Sequence, residues 1–258
     1  MKNNLISKLT VSLLAISVLT IGISSCGKTS TKATGTVYVH LHTNIDTNEV
    51  TDNSTRYSDA NGRHFSLSKA QFFMSNIILK NVDGNTYTMK DVNILKGIDG
   101  EQYFVGTAPV GTYTSFSFNV GLDPTTNSKM PSSFSPASYL TSSEMWYGNT
   151  SQGYMFMKVQ GIADTTATQN GTNQIPFSYE ISSAANLKSV SMPARTGTFR
   201  PYTLVSGGVI YLHMVCDYGK LLSVVDFKTQ SNTDTYNTNP ALATTIANNI
   251  PNMFEYED

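Results

Sequence analysis

The chain has 258 residues, of which only 14% are charged, and 17 Lys and Arg stand against 18 Asp and Glu for a formal net charge of −1. That balance leaves no basic footprint for nucleic acid. The length suits one large β domain or two small ones.

The N-terminus reads as an export signal. Lys2 supplies a positive charge, and the apolar run from Leu9 to Ile23 is too short and too diluted by Ser and Thr to make a comfortable membrane span. Ile23-Ser24-Ser25-Cys26 follows, which completes the pattern of charged region, apolar region and small-residue cleavage site. A cysteine directly after the small residues resembles the lipobox of bacterial lipoproteins, whose peptidase cuts just before the diacylated cysteine. Residues 1–25 are therefore expected to be a signal peptide and Cys26 a lipidated N-terminus that binds the membrane. The alternative is a plain signal peptide with a coincidental cysteine. Polar residues 26–35 read as a flexible tether, and residues 36–258 as the working domain. Gly27 follows the cysteine and no Asp signals inner-membrane retention, so the expected location is the outer membrane, facing the periplasm or the cell surface. With Cys26 lipidated, Cys216 has no partner for an internal disulfide, and core burial must hold the domain together.

The domain reads as all-β. Thr36 to His42 alternates, with Val37, Val39 and Leu41 on one face and Tyr38, His40 and His42 on the other. Asp83-Gly84 between Ile77-Ile78-Leu79 and Tyr87 is a hairpin signal. Phe116, Phe118 and Val120 alternate with Ser117 and Asn119. Residues 123–143 are polar, with several Pro and Ser, and read as a long loop. Tyr154 to Gln160 and Val209 to Val215 are further period-two runs rich in β-branched and aromatic residues. Near the end, Asn239-Pro240 looks like an N-cap with Pro at the first helical position, and Leu242, Ile246 and Ile250 then repeat at helical spacing up to Pro251. The expected fold is an immunoglobulin-like β-sandwich with a short C-terminal helix.

No phosphate cradle, nucleophile elbow or zinc-protease His pair is present. Four histidines remain: His40, His42, His64 and His213. His40 and His42, two apart on a strand, project from one face and can reach one metal ion. His213 shares a face with Val209, Tyr211 and Val215, opposite Ile210, Leu212 and Met214. Neutral imidazole is the commonest metal ligand, and nitrogen donors suit copper or zinc. The plain alternative is a solvated strand face. Met155 and Met157 share a strand face with Val159, which makes core packing the first reading and soft thioether ligation the second. Cys216 shares a face with Leu212 and Met214 and reads as a buried thiol. Asp123, in Gly121-Leu122-Asp123-Pro124, marks a turn or an oxygen ligand for calcium. Trp146, the one tryptophan, reads as an aromatic anchor for the long loop. Glu144, Asp123 and Glu180 make an acid–base pair on paper only, since nothing in the sequence places two of them together. The chain is not expected to be an enzyme.

Several segments, taken in order, carry a resemblance. They are Val39-His40-Leu41-His42, then Phe65-Ser66-Leu67-Ser68-Lys69-Ala70-Gln71-Phe72-Phe73-Met74-Ser75-Asn76-Ile77, then Gly111-Thr112-Tyr113 with Phe116 to Asp123. Met145-Trp146, Gly153 to Gly161 and Ala247 to Phe254 follow. Together they resemble the MbnP-like family, periplasmic proteins related to the methanobactin-associated copper protein and to surface copper proteins of the MopE and CorA type. The resemblance implies a β-sandwich and a link to copper, bound by histidines and a tryptophan oxidised to kynurenine with the help of a dihaem peroxidase-like partner. Carried over by position, the ligands are His42 and His213, with His40 as a third candidate and oxidised Trp146 as a conditional fourth. Many members keep two tryptophans around that segment, whereas here Tyr147 and Gly148 follow Trp146. A rival expectation is a surface module binding a glycan or a partner protein of an outer-membrane complex through Tyr139, Trp146, Tyr147 and Tyr154.

Overall fold

The computed structural model describes residues 32–50, 56–59, 61–166, 173–196 and 200–257. The signal segment, Cys26 and most of the tether lie outside the described residues. The strands are β1 (Thr34–Ile45), β2 (Asn48–Glu49), β3 (Tyr57–Ser58), β4 (His64–Asn81) and β5 (Thr86–Thr88). Next come β6 (Asn93–Lys96), β7 (Gln102–Pro109), β8 (Gly111–Val120), β9 (Met157–Asp164) and β10 (Gln174–Ile181). The last are β11 (Lys188–Ser191), β12 (Tyr202–Leu204), β13 (Val209–Asp217), β14 (Asn232–Asp234) and β15 (Phe254–Tyr256). Three helices accompany them: α1 (Pro124–Asn127), α2 (Tyr218–Leu222) and α3 (Pro240–Asn249). Thr34 and Gly35, assigned to the tether from sequence, are already strand.

The architecture is an all-β sandwich. One sheet runs β15-β13-β1-β2, with β7 also paired to β1. The other runs β11-β8-β4-β9-β10-β14, with β3, β5, β6 and β12 attached to it. β1 and β13 pair in parallel and β10 and β14 do likewise, while the remaining pairs are antiparallel. The alternation read from sequence governs the burial. Val37, Val39, Leu41, Leu212 and Met214 face the core with no exposed surface, because period-two side chains point to opposite faces of a strand. Phe254 of β15 meets Phe72 at 5.6 Å and Phe118 at 4.9 Å between ring centroids, which ties the first sheet to the second across the core.

The predicted hairpin is present, with Gly84 at φ +83 in the turn and β5 paired back on β4. A left-handed residue there is what glycine adopts without a Cβ clash. α3 starts where predicted, and the Asn239 side chain accepts from the Leu242 amide. It does not run to Pro251. The α-helix ends at Asn249 and continues as a 3-10 turn over Ile250–Met253, which tolerates Pro251 near its start.

The run predicted as a strand from Tyr154 begins as strand only at Met157. Met155 and Met157 therefore do not share a face. Met157 joins the main core, whereas Met155 joins a satellite cluster with Phe73, Leu122, Leu140, Met145, Tyr154 and Phe156. Phe72 faces the main core and its neighbour Phe73 the satellite, so the satellite covers the outer face of the second sheet. Both methionines pack rather than ligate. Cys216 is fully buried, and burial pushes its thiol up to about 12.

Candidate metal centre

The parallel pairing of β1 with β13 puts His40 directly beside His213. Both side chains point away from the core, as the strict alternation on each strand requires. Their Nδ1 atoms lie 3.0 Å apart. His42, two residues along β1, lies on the same face, with its ring 4.6 Å from that of His40.

Three carboxylates close in from separate elements. The β15–β13 register sets Tyr256 opposite Met214, so the next residue, Glu257, reaches the level of His213. Its Oε2 is 3.6 Å from His213 Nδ1 and 3.5 Å from His42 Nε2. β2 folds back on β1 and brings Glu49, whose Oε1 lies 2.8 Å from His42 Nδ1. Glu101 precedes β7, and its Oε2 lies 3.4 Å from His40 Nε2. His40 thus turns one nitrogen to Glu101 and the other to His213, and His42 turns one to Glu49 and the other to Glu257. Metal-bound histidines habitually donate the far ring N–H to a carboxylate, which fixes the tautomer and leaves the near nitrogen's lone pair for the ion.

The residues fit a metal ion. Ligands about 2.0–2.1 Å from one ion stand about 2.9 Å apart at a square corner and about 3.3 Å apart along a tetrahedral edge. The His40–His213 and His213–Glu257 separations, 3.0 and 3.6 Å, fall close to those edges. Donor atoms of His40, His213 and Glu257 all lie within 4.8 Å of one another, as do those of His40, His42 and Glu101. Glu257 Oε2 is also buried without a hydrogen-bond partner. Such an atom costs about 1–3 kcal/mol, which a cation among these donors would offset. Burial, and next the neighbouring His40 ring, lower the pKa of His213 against the pull of Glu257. A lowered pKa favours the neutral imidazole that a metal needs.

Trp146 is not in this cluster. It bridges to Tyr154, with ring centroids 4.7 Å apart, and packs on the satellite core over the outer face of the second sheet. The main core lies between that face and the outer face of the first sheet, where the histidines stand. The predicted aromatic surface is also absent. Tyr154 is fully buried and donates its hydroxyl to Leu140 O, while Trp146 and Tyr147 are partly buried against the satellite core. Tyr147 meets Tyr236 edge-on at 5.2 Å, and of the four only Tyr139 is exposed.

Asp123 spends its carboxylate as the N-cap of α1, accepting from the Thr125 and Thr126 amides. Among the described residues it belongs to no group of three ligand side chains suited to calcium. Glu144 pairs with Lys69, and Glu180 pairs with Lys158 at 3.1 Å, so each carboxylate of the paper acid–base set is engaged separately.

Fold and site define a β-sandwich protein with a histidine–carboxylate cluster on the outer face of one sheet. The MbnP family model matches residues 34–239. The chain belongs to the MbnP family. Among solved structures it is similar to MbnP from Methylosinus trichosporium, with a TM-score of 0.53 and 15% identity over 80% of this chain and 82% of that one. At that identity the likeness carries the fold. No curated protein matches the chain.

Proposed function

We propose that this chain is a lipid-anchored extracytoplasmic protein that binds copper for acquisition or handling, with no catalytic role of its own. His40 Nδ1, His213 Nδ1 and Glu257 Oε2 hold the ion, His42 Nε2 adjoins Glu257, and Glu49 and Glu101 orient the imidazoles. The observation that carries this reading is the convergence of two imidazole nitrogens 3.0 Å apart on a buried carboxylate oxygen without a hydrogen-bond donor. Membership of the MbnP family supports the choice of copper among metals that imidazole and carboxylate accept. The lipid on Cys26 and the outer-membrane location rest on the signal and cysteine pattern of the sequence.

The test is elemental analysis of the full chain, supplied with copper and dialysed against a weak chelator, with intact mass recorded on the same sample. The wild-type chain is expected to retain about one copper, and a His40→Ala/His213→Ala chain to retain none. Retention with Trp146 unmodified separates this site from one that needs oxidised tryptophan. Equal copper in the two chains would overturn the proposal.

A further inference from the structure

Exposed valines gather around the point where the chain enters the sandwich. Ala33 and Thr34 lead into β1. The Val110 amide donates to Ala33 O and the Gly207 amide to Thr34 O, each at 2.9 Å. These bonds set the β7–β8 turn and the β12–β13 loop directly beside the incoming chain. The β4–β5 turn adjoins them, with the Val82 amide donating to Thr112 O at 3.0 Å. Each of these turns carries an exposed valine: Val82 is 58% exposed, Val110 42% and Val205 59%, and Val209, the first residue of β13, is 50% exposed. A single exposed apolar side chain needs no explanation, but apolar tips on neighbouring turns mark a surface that meets something else. Lys28 and Lys32 precede β1 with no acid between Cys26 and Thr34, and exposed Lys80 and Asp83 flank Val82, so the local charge leans positive. The opposite end of the sandwich, around Asp46, Asp59 and Lys220, is polar and carries both signs.

We propose that this end of the sandwich docks on a phospholipid bilayer, with the valine-tipped turns entering the headgroup boundary. This rests on the lipid anchor read for Cys26 above and adds the orientation of the domain. Thr34 lies eight residues beyond Cys26, a separation of at most about 29 Å even for a fully extended chain. The far end of β1 stands about 36 Å farther along the strand at about 3.3 Å per residue. The anchor therefore holds the valine end, not the polar end, against the lipid. Buried apolar area and attraction of lysines to anionic headgroups then add to the acyl chains in the same direction. His40, six residues beyond Thr34, comes to stand about 20 Å from the docked end, which keeps the histidine cluster clear of the headgroups.

The experiment uses the lipidated full chain, purified from bacterial membranes and reconstituted on vesicles of phosphatidylethanolamine and phosphatidylglycerol. Val82→Cys, Val205→Cys and Val224→Cys are each labelled with bimane. Val224 is 39% exposed and follows α2 at the opposite end, so it serves as the control. Cys216 is wholly buried and Cys26 is taken up by lipid, so the label reaches the introduced thiol. With nitroxide-bearing phospholipid in the vesicles, bimane at 82 and 205 is expected to lose fluorescence and shift its emission to the blue, and bimane at 224 to do neither. Flotation of the same samples separates the two readings. A chain that floats with the vesicles but whose labels at 82 and 205 are unquenched, or quenched no more than that at 224, would overturn the docking and leave the anchor standing. A chain that does not float and carries no acyl mass on Cys26 would remove the anchor and this inference together.

Discussion

Replacing His40 with Ala separates the roles of fold and site. His40 lies on the outer face of β1, and its side chain is 14% exposed. The core contacts of the strand are made by Val37, Val39 and Leu41 on the other face. Truncation therefore costs the metal-free chain about 1 kcal/mol. Metal present at a thousand times its Kd stabilises the native state by about 4 kcal/mol. In a domain of this size each kcal/mol moves Tm by about 2–4 °C, so copper should raise the wild-type Tm by about 8–16 °C. In the proposed site His40 supplies Nδ1 to the ion and connects Glu101 to the cluster, and its loss should weaken binding about 100-fold or more, since loss of an outer-shell partner alone costs about 10–100-fold. At the same copper concentration the stabilisation then falls to about 1.4 kcal/mol or less, and the shift to about 3–6 °C or less. Thermal melts of both chains, with and without copper, read this directly. A His40→Ala chain that keeps the full copper-dependent shift would refute the assignment.

Glu101→Gln removes the carboxylate behind His40 and should weaken copper binding about 10–100-fold without shifting the metal-free melt, as titration calorimetry would register; unchanged affinity would remove Glu101 from the site. Gly161→Ala would drive a Cβ into the Ser66 carbonyl oxygen and to within 2.6 Å of Phe177 Cζ. Denaturant unfolding should show a loss of about 3 kcal/mol, and a change within about 0.5 kcal/mol would contradict the packing of β9 on β4. Burial pushes Tyr103 and Tyr154 up to about 12 from an ordinary value near 10. Between those values the folded chain keeps protons that the unfolded chain has lost, so stability is intact below about pH 10 and falls as pH rises toward 12. Absorbance titration should show these phenols ionising only near that upper limit or together with unfolding, and their titration near pH 10 in a folded chain would contradict the burial.

Much of the sandwich was legible because alternation is strict along β1, over residues 116–120 of β8 and over residues 209–216 of β13, and burial follows it there. The same alternation put His40, His42 and His213 on polar faces. What the sequence left open was which strands adjoin, so only the parallel register shows His40 to be the direct neighbour of His213, whereas the resemblance favours His42 by position. The carboxylates escaped notice for a related reason. Glu49 sits in a two-residue strand, while Glu101 and Glu257 lie just outside strands, where no periodic signal marks them. At Asp46, with φ 54, the chain doubles back to place Glu49 beside β1. Trp146 stands apart from the histidines because similarity along a segment says nothing about which outer face of a sandwich that segment covers. The split of Met155 from Met157 arises because the loop cluster buries the second face of its sheet, which removes the contrast that alternation depends on.

A crystal of the copper-loaded full chain, with anomalous diffraction at the copper edge, tests the central claim most directly. One strong peak is expected about 2.0–2.1 Å from His40 Nδ1 and His213 Nδ1, with a Glu257 oxygen completing the contact. A peak beside Trp146, or anywhere else away from β1 and β13, would contradict it.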